Sequence, residues 1–189
     1  TFGVIIKNRL FMSYVGIQSF LLGSMFAYIA ASPFIFQSFY GLSAFIFSLC
    51  FGANGAALVI GANIGGKLPN RQALAIGVFA FVVAALYTIA VLIIQPYWLF
   101  IEIGFFAMLL LMGITFPAIS SLAMESERQY AGSASALLGF APFFLGGVVS
   151  PLVGIGNIFY STSFVILICA LLALSIYWMI RHKIPTSAE

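Results

Sequence analysis

The chain has 189 residues, of which 63% are hydrophobic and only 6% charged, and its mean hydropathy is +1.20. A soluble domain carries about 25% charged residues, so this chain cannot clothe a globule in polar surface and must use lipid as part of its solvent. The net charge of +3 comes without a basic, aromatic-laced stripe, which excludes nucleic acid as the expected partner and fits anionic lipid headgroups.

A helix needs about 20 apolar residues to cross a bilayer, and six windows qualify: 10–31, 41–65, 73–94, 98–122, 131–154 and 160–180. The stretch before the first window has no cleavage site after a short apolar core, so it is not a signal peptide. The chain starts with Thr1 in place of Met, which reads as part of a longer polypeptide. In the first span, Gln18, Met25, Phe26 and Tyr28 stand out, and Ser32-Pro33 is expected to end it, because proline cannot continue the hydrogen-bond ladder. The second span carries Cys50, Asn54, Gly61, Asn63 and Gly65. A turn over 66–71 leads to the third span, and Gln95-Pro96-Tyr97-Trp98 forms a turn with interfacial aromatics. The fourth span holds Glu102, Met112, Phe116 and Pro117. The fifth is rich in glycine and broken by Pro142 and Pro151, and Gly156-Asn157 marks the turn into the sixth. With short loops, consecutive helices are expected to be antiparallel neighbours. Residues 1–183 form one bundle, and 184–189 are expected to be a loose tail.

Basic residues fix the expected orientation. Lys7 and Arg9 precede the first span, Lys67 and Arg71 follow the second, Arg128 follows the fourth, and Arg181 and Lys183 follow the sixth. Those seven are all the Lys and Arg of the chain. Cytoplasmic loops hold the positive charge, so both ends are expected in the cytoplasm. Three helices followed by three similar ones run in opposite directions, as in an inverted repeat. Tyr40-Gly41-Leu42-Ser43-Ala44 and Tyr130-Ala131-Gly132-Ser133-Ala134 are a faint trace of one.

Chemistry-bearing residues are few. There is no Asp, and the single His182 sits between Arg181 and Lys183, where it reads as an interfacial anchor. No metal cluster, phosphate loop or nucleophile elbow occurs, so neither an enzyme, a cofactor nor a bound metal is expected. Cys50 and Cys169 read as small apolar packing residues. Glu102 lies four residues into the fourth span, near its outer end. It reads as interfacial, with a proton or cation role as the alternative, since carboxylates in hydrocarbon tend to serve relays or substrates. Glu125, Glu127 and Arg128 read as a solvated loop or, alternatively, a cytoplasmic gate. The amides of Gln18, Asn54 and Asn63 each need a partner across helices or in a wet cavity. Gly61 and Gly65, and the ridge Gly146, Ser150 and Gly154, permit close helix approach.

The run Ala-Tyr-Ile-Ala-Ala-Ser-Pro-Phe-Ile-Phe-Gln over 27–37, then Tyr40-Gly41-Leu42-Ser43 and Phe51-Gly52-Ala53-Asn54, resembles the second half of bicyclomycin-resistance (Bcr/CflA) type drug:proton antiporters of the major facilitator superfamily. So do Gly113-Ile114-Thr115-Phe116-Pro117 and the run 131–139. The resemblance implies an all-α membrane fold of six transmembrane helices, one half of a twelve-span transporter, with the N-terminal six-helix half absent. It implies that the first and fourth spans line a central cavity, making Met25, Phe26, Tyr28, Met112 and Phe116 cavity candidates, and the amides of Gln18 and Asn54 within the spans join them. Gly66, Lys67, Asn70 and Arg71 resemble a degenerate Gly-x-x-x-Asp-Arg loop, with Asn70 where an acid is expected. Together with Glu125 and Arg128 they are candidates for a cytoplasmic gate. Proton-coupling acids are implied to lie in the other half.

The function so implied is proton-coupled multidrug efflux by alternating access, in a bacterial inner membrane. Its partners would be the lipid bilayer, the other half, protons, and small hydrophobic or cationic drugs. An exporter of a metabolite such as an amino acid or sugar, or a non-transporting assembly subunit, would use the same helices.

Overall fold

The computed structural model describes residues 2–185 and is all-helical over them. A short α1 (Phe2–Ile5) precedes six long helices: α2 (Arg9–Ser32), α3 (Ala44–Gly65), α4 (Asn70–Ile94), α5 (Trp98–Ser126), α6 (Ala131–Val153) and α7 (Ile158–Ile180). All six are long and apolar enough to cross a membrane, and the chain is an integral membrane protein. The six expected windows coincide with them to within a few residues, except at the end of the first.

Side-chain caps start three of the helices, each accepting backbone N–H groups that a first turn leaves unpaired. Asn8 Oδ1 accepts from Leu10 and Phe11 at 3.1 and 3.2 Å. Ser43 caps α3 and Asn157 caps α7. Three hydroxyls buried within the spans, those of Ser19, Thr88 and Thr162, donate to the carbonyl four residues back. Lipid offers them no alternative partner.

The first span does not end at Pro33. The helix continues as a π-helical segment, Pro33–Phe39, with Tyr40 N–H donating to the Ile35 carbonyl. Proline at 33 has no N–H for the Ile29 carbonyl, and Ser32 Oγ donates to that carbonyl instead, at 3.3 Å. The neighbouring serine thus covers the group that proline exposes. Pro117, Pro142 and Pro151 likewise lie inside continuous helices.

Sequential neighbours are not, in general, packing neighbours. Short loops impose antiparallel directions, but the four residues between Phe39 and Ala44 reach up to about 14 Å, beyond the 8–10 Å spacing of packed helices. The extensive contacts are α2 with α6 and α7, α5 with α3 and α4, and α2–α5 and α4–α7 across the middle. This pattern maps onto itself when α2, α3 and α4 are exchanged for α5, α6 and α7. Each repeat's first helix packs on the second and third helices of the other repeat. With three helices per repeat the two copies run oppositely, as the sequence arithmetic required.

Glycines set the close contacts. A Cβ on Gly61 would run into the Leu110 carbonyl, one on Gly65 into the Ile114 carbonyl, and one on Gly113 into the Leu58 carbonyl. The expected Gly61/Gly65 pair is therefore the seam between α3 and α5. Between α4 and α5, Gly77 receives Thr115 and Gly104 receives Thr88, two pairs in one antiparallel register. Gly146 receives the Phe26 ring, while Gly154 only ends α6. Ile184, assigned above to the loose tail, is buried; residues 186–189 lie outside the described part.

Candidate functional site

Two adjacent depressions open on the face formed by α2, α3 and α5. One, of about 200 Å³, is lined by Met25, Tyr28, Phe51, Asn54, Leu58 and Leu109. The other, of about 400 Å³, is lined by Met25, Leu58, Gly113, Phe116, Pro117 and Ser120. Met25 and Leu58 form the partition between them. Four of the seven cavity candidates, Met25, Tyr28, Asn54 and Phe116, therefore share one surface.

The other three do not reach it. Met112 is fully buried and packs in the core. Phe26 fills the notch at Gly146 and meets Phe143 edge-on at 5.8 Å. Gln18 is half-buried, and its Oε1 has no partner. Helical periodicity separates these residues: Phe26 follows Met25 by one position, about 100° around the helix, and so points at α6. Asn63 faces outward and donates to the Val59 carbonyl of its own helix, so it needs no partner on another.

Around the smaller depression the walls are aromatic. The Tyr28 ring lies 4.7 Å from that of Phe105 and 5.8 Å from that of Phe51. Phe36 and Phe47 extend the cluster. Within it sits a small polar group. Asn54, 0% exposed, donates through Nδ2 to the Tyr28 hydroxyl at 2.9 Å, and its Oδ1 has no partner. Glu102 lies beside Asn54. It is packed inside the bundle, 7% exposed, and neither carboxylate oxygen has a hydrogen-bond partner among the described residues.

At the end of the bundle that carries the basic residues, the gate candidates separate into pairs. Gly66 caps α3. Asn70 Nδ2 donates to Ser121 Oγ at 2.9 Å, tying the start of α4 to α5; an aspartate has no N–H with which to do this. Lys67 and Arg71 are exposed. Arg128 meets Glu125 at 3.4 Å, with side chains 78% and 51% exposed, and such pairs contribute little. It is the sole ion pair among the described residues. Glu127, grouped above with the solvated loop, is instead 8% exposed and accepts a 2.6 Å hydrogen bond from Asn8 Nδ2. Nothing in the sequence pairs residues 119 positions apart. A cap residue with a spare amide next to the first span was the available hint.

No protein-family model matches the chain. It is 38% identical over 161 residues to the MFS-type transporter YdgK of Bacillus subtilis (strain 168), a match covering 83% of this chain and 40% of the relative. The chain is a relative of MFS-type transporters. A more distant match, 27% identical over 160 residues, is to a bicyclomycin resistance protein homolog of Haemophilus influenzae (strain ATCC 51907 / DSM 11121 / KW20 / Rd) and covers 78% of this chain and 38% of the relative. The chain thus spans about two fifths of the length of each curated relative it matches. Six apolar helices with a twofold packing pattern, at that share of a transporter's length, are consistent with one half of such a protein.

Proposed function

We propose that this segment is the C-terminal half of a proton-coupled multidrug efflux transporter of the Bcr/CflA type, working by alternating access in a bacterial inner membrane with its basic ends in the cytoplasm. The observation that carries the reading is the shared face: Met25, Tyr28, Asn54 and Phe116 line adjoining depressions whose walls are otherwise apolar and aromatic. Adaptable Met and aromatic surfaces suit varied apolar ligands, and aromatic faces attract organic cations. Amino acids and sugars need many converging polar groups, and here Tyr28, Asn54 and Ser120 are the few on offer.

Exposed glycines support the missing half. Gly52 and Gly55 on α3, and Gly132, Gly139 and Gly147 on α6, have nothing near a Cβ position. Glycine in a helix is about 1 kcal/mol worse than alanine, and the close approach that would explain these residues is not made within the segment. A second six-helix bundle packed along α3 and α6 supplies it.

The test is drug efflux by cells expressing the full-length protein that contains this segment. Tyr28→Ala and Met25→Ala should each change the drug profile while expression persists. Unchanged efflux of every cationic and neutral drug tested would remove the cavity from the pathway.

A further inference from the structure

Among the described residues, Glu102 has no neutralising partner. The titratable or polar groups facing it are Tyr28 from α2 and Cys50 and Asn54 from α3. None carries positive charge, and the basic residues lie at the far end of the spans. Both oxygens lack hydrogen bonds. An uncompensated carboxylate in such surroundings costs several kcal/mol, so positive charge must come from outside the segment. Asn54 provides the route: it lies near Glu102 on one side, and with Tyr28 it lines the 200 Å³ depression on the other.

We propose that Glu102 is a proton-exchange site of this half, giving up its proton when an organic cation enters the neighbouring depression, with Asn54 and Tyr28 linking the two. On exchange the carboxyl O–H bond breaks, and the proton passes to solvent through the amide and hydroxyl side. The carboxylate left behind is balanced by the arriving cation, so charge is conserved. The exposed ring of Phe51 gives the cation an aromatic face. This places a coupling acid in the half where the family resemblance leads one to expect none. The link to transport rests on the efflux reading; the proton site itself does not.

The experiment is infrared difference spectroscopy on the purified full-length protein in phosphatidylcholine vesicles, between acidic and alkaline pH. A carboxylic-acid carbonyl band is expected that Glu102→Gln abolishes. Adding tetraphenylphosphonium at fixed pH is expected to bleach that band and release protons, and Tyr28→Phe to weaken the response. An unchanged band in Glu102→Gln overturns the proton site while leaving drug export standing. A Glu102 band that ignores tetraphenylphosphonium overturns the exchange and counts against export of cations. Should Glu102→Gln fail to assemble, Glu102→Asp retains a carboxyl one methylene shorter, and its band must shift; an unmoved band overturns the assignment.

Discussion

Where α3 and α5 touch, single atoms decide the fit. Gly113 lies against the Leu58 carbonyl and the Gly61 backbone, so Gly113→Ala must push two backbones apart. Overpacking of this kind costs about 1–3 kcal/mol, and the thermal midpoint of the full-length protein in detergent should fall accordingly; an unchanged midpoint would mean the seam is looser than described. The Asn8–Glu127 contact gives a second residue-scale expectation. Glu127→Gln retains an acceptor for Asn8 Nδ2 and should change stability little. Glu127→Ala strands a donor and should lose about 1–3 kcal/mol, read from the same midpoint. Equal behaviour of the two variants would assign the contact no weight.

At the scale of the element, α2 shows how a helix passes a proline. If Ser32 stands in for the N–H that Pro33 lacks, the two residues are coupled. Ser32→Ala alone should lower stability by about 1 kcal/mol. In a Pro33→Ala background, where the Ile29 carbonyl regains a backbone donor, the same change should have almost no effect. A double-mutant cycle measures the difference, and additive effects would show that the serine does not serve the proline. Both signals were present in the sequence as Ser32-Pro33. The local rule for proline reads them as a stop, because it counts the donor lost and not the hydroxyl beside it.

For the whole molecule, the exchange-symmetric packing leaves α3 and α6 as the least covered helices, each with open glycines. Gly52→Leu and Gly147→Leu fill spaces that are empty within this segment. They should leave membrane insertion intact while abolishing efflux by the full-length protein. Normal efflux with leucine at both positions would mean that no partner bundle packs there.

The sequence by itself determined the number of spans, their approximate limits and the clustering of basic charge at one end. These follow from average hydropathy and loop composition, which need no knowledge of neighbours. It also marked Met25, Tyr28, Asn54 and Phe116 by their chemistry. Only the tertiary structure decided which helices pack together, because lipid is as apolar as a leucine core and leaves no amphipathic stripe to show the buried face. Only there does Met112 turn into the core, Glu127 find Asn8, and Glu102 come to lie beside Asn54. Each of those placements depends on contacts between residues far apart in the chain.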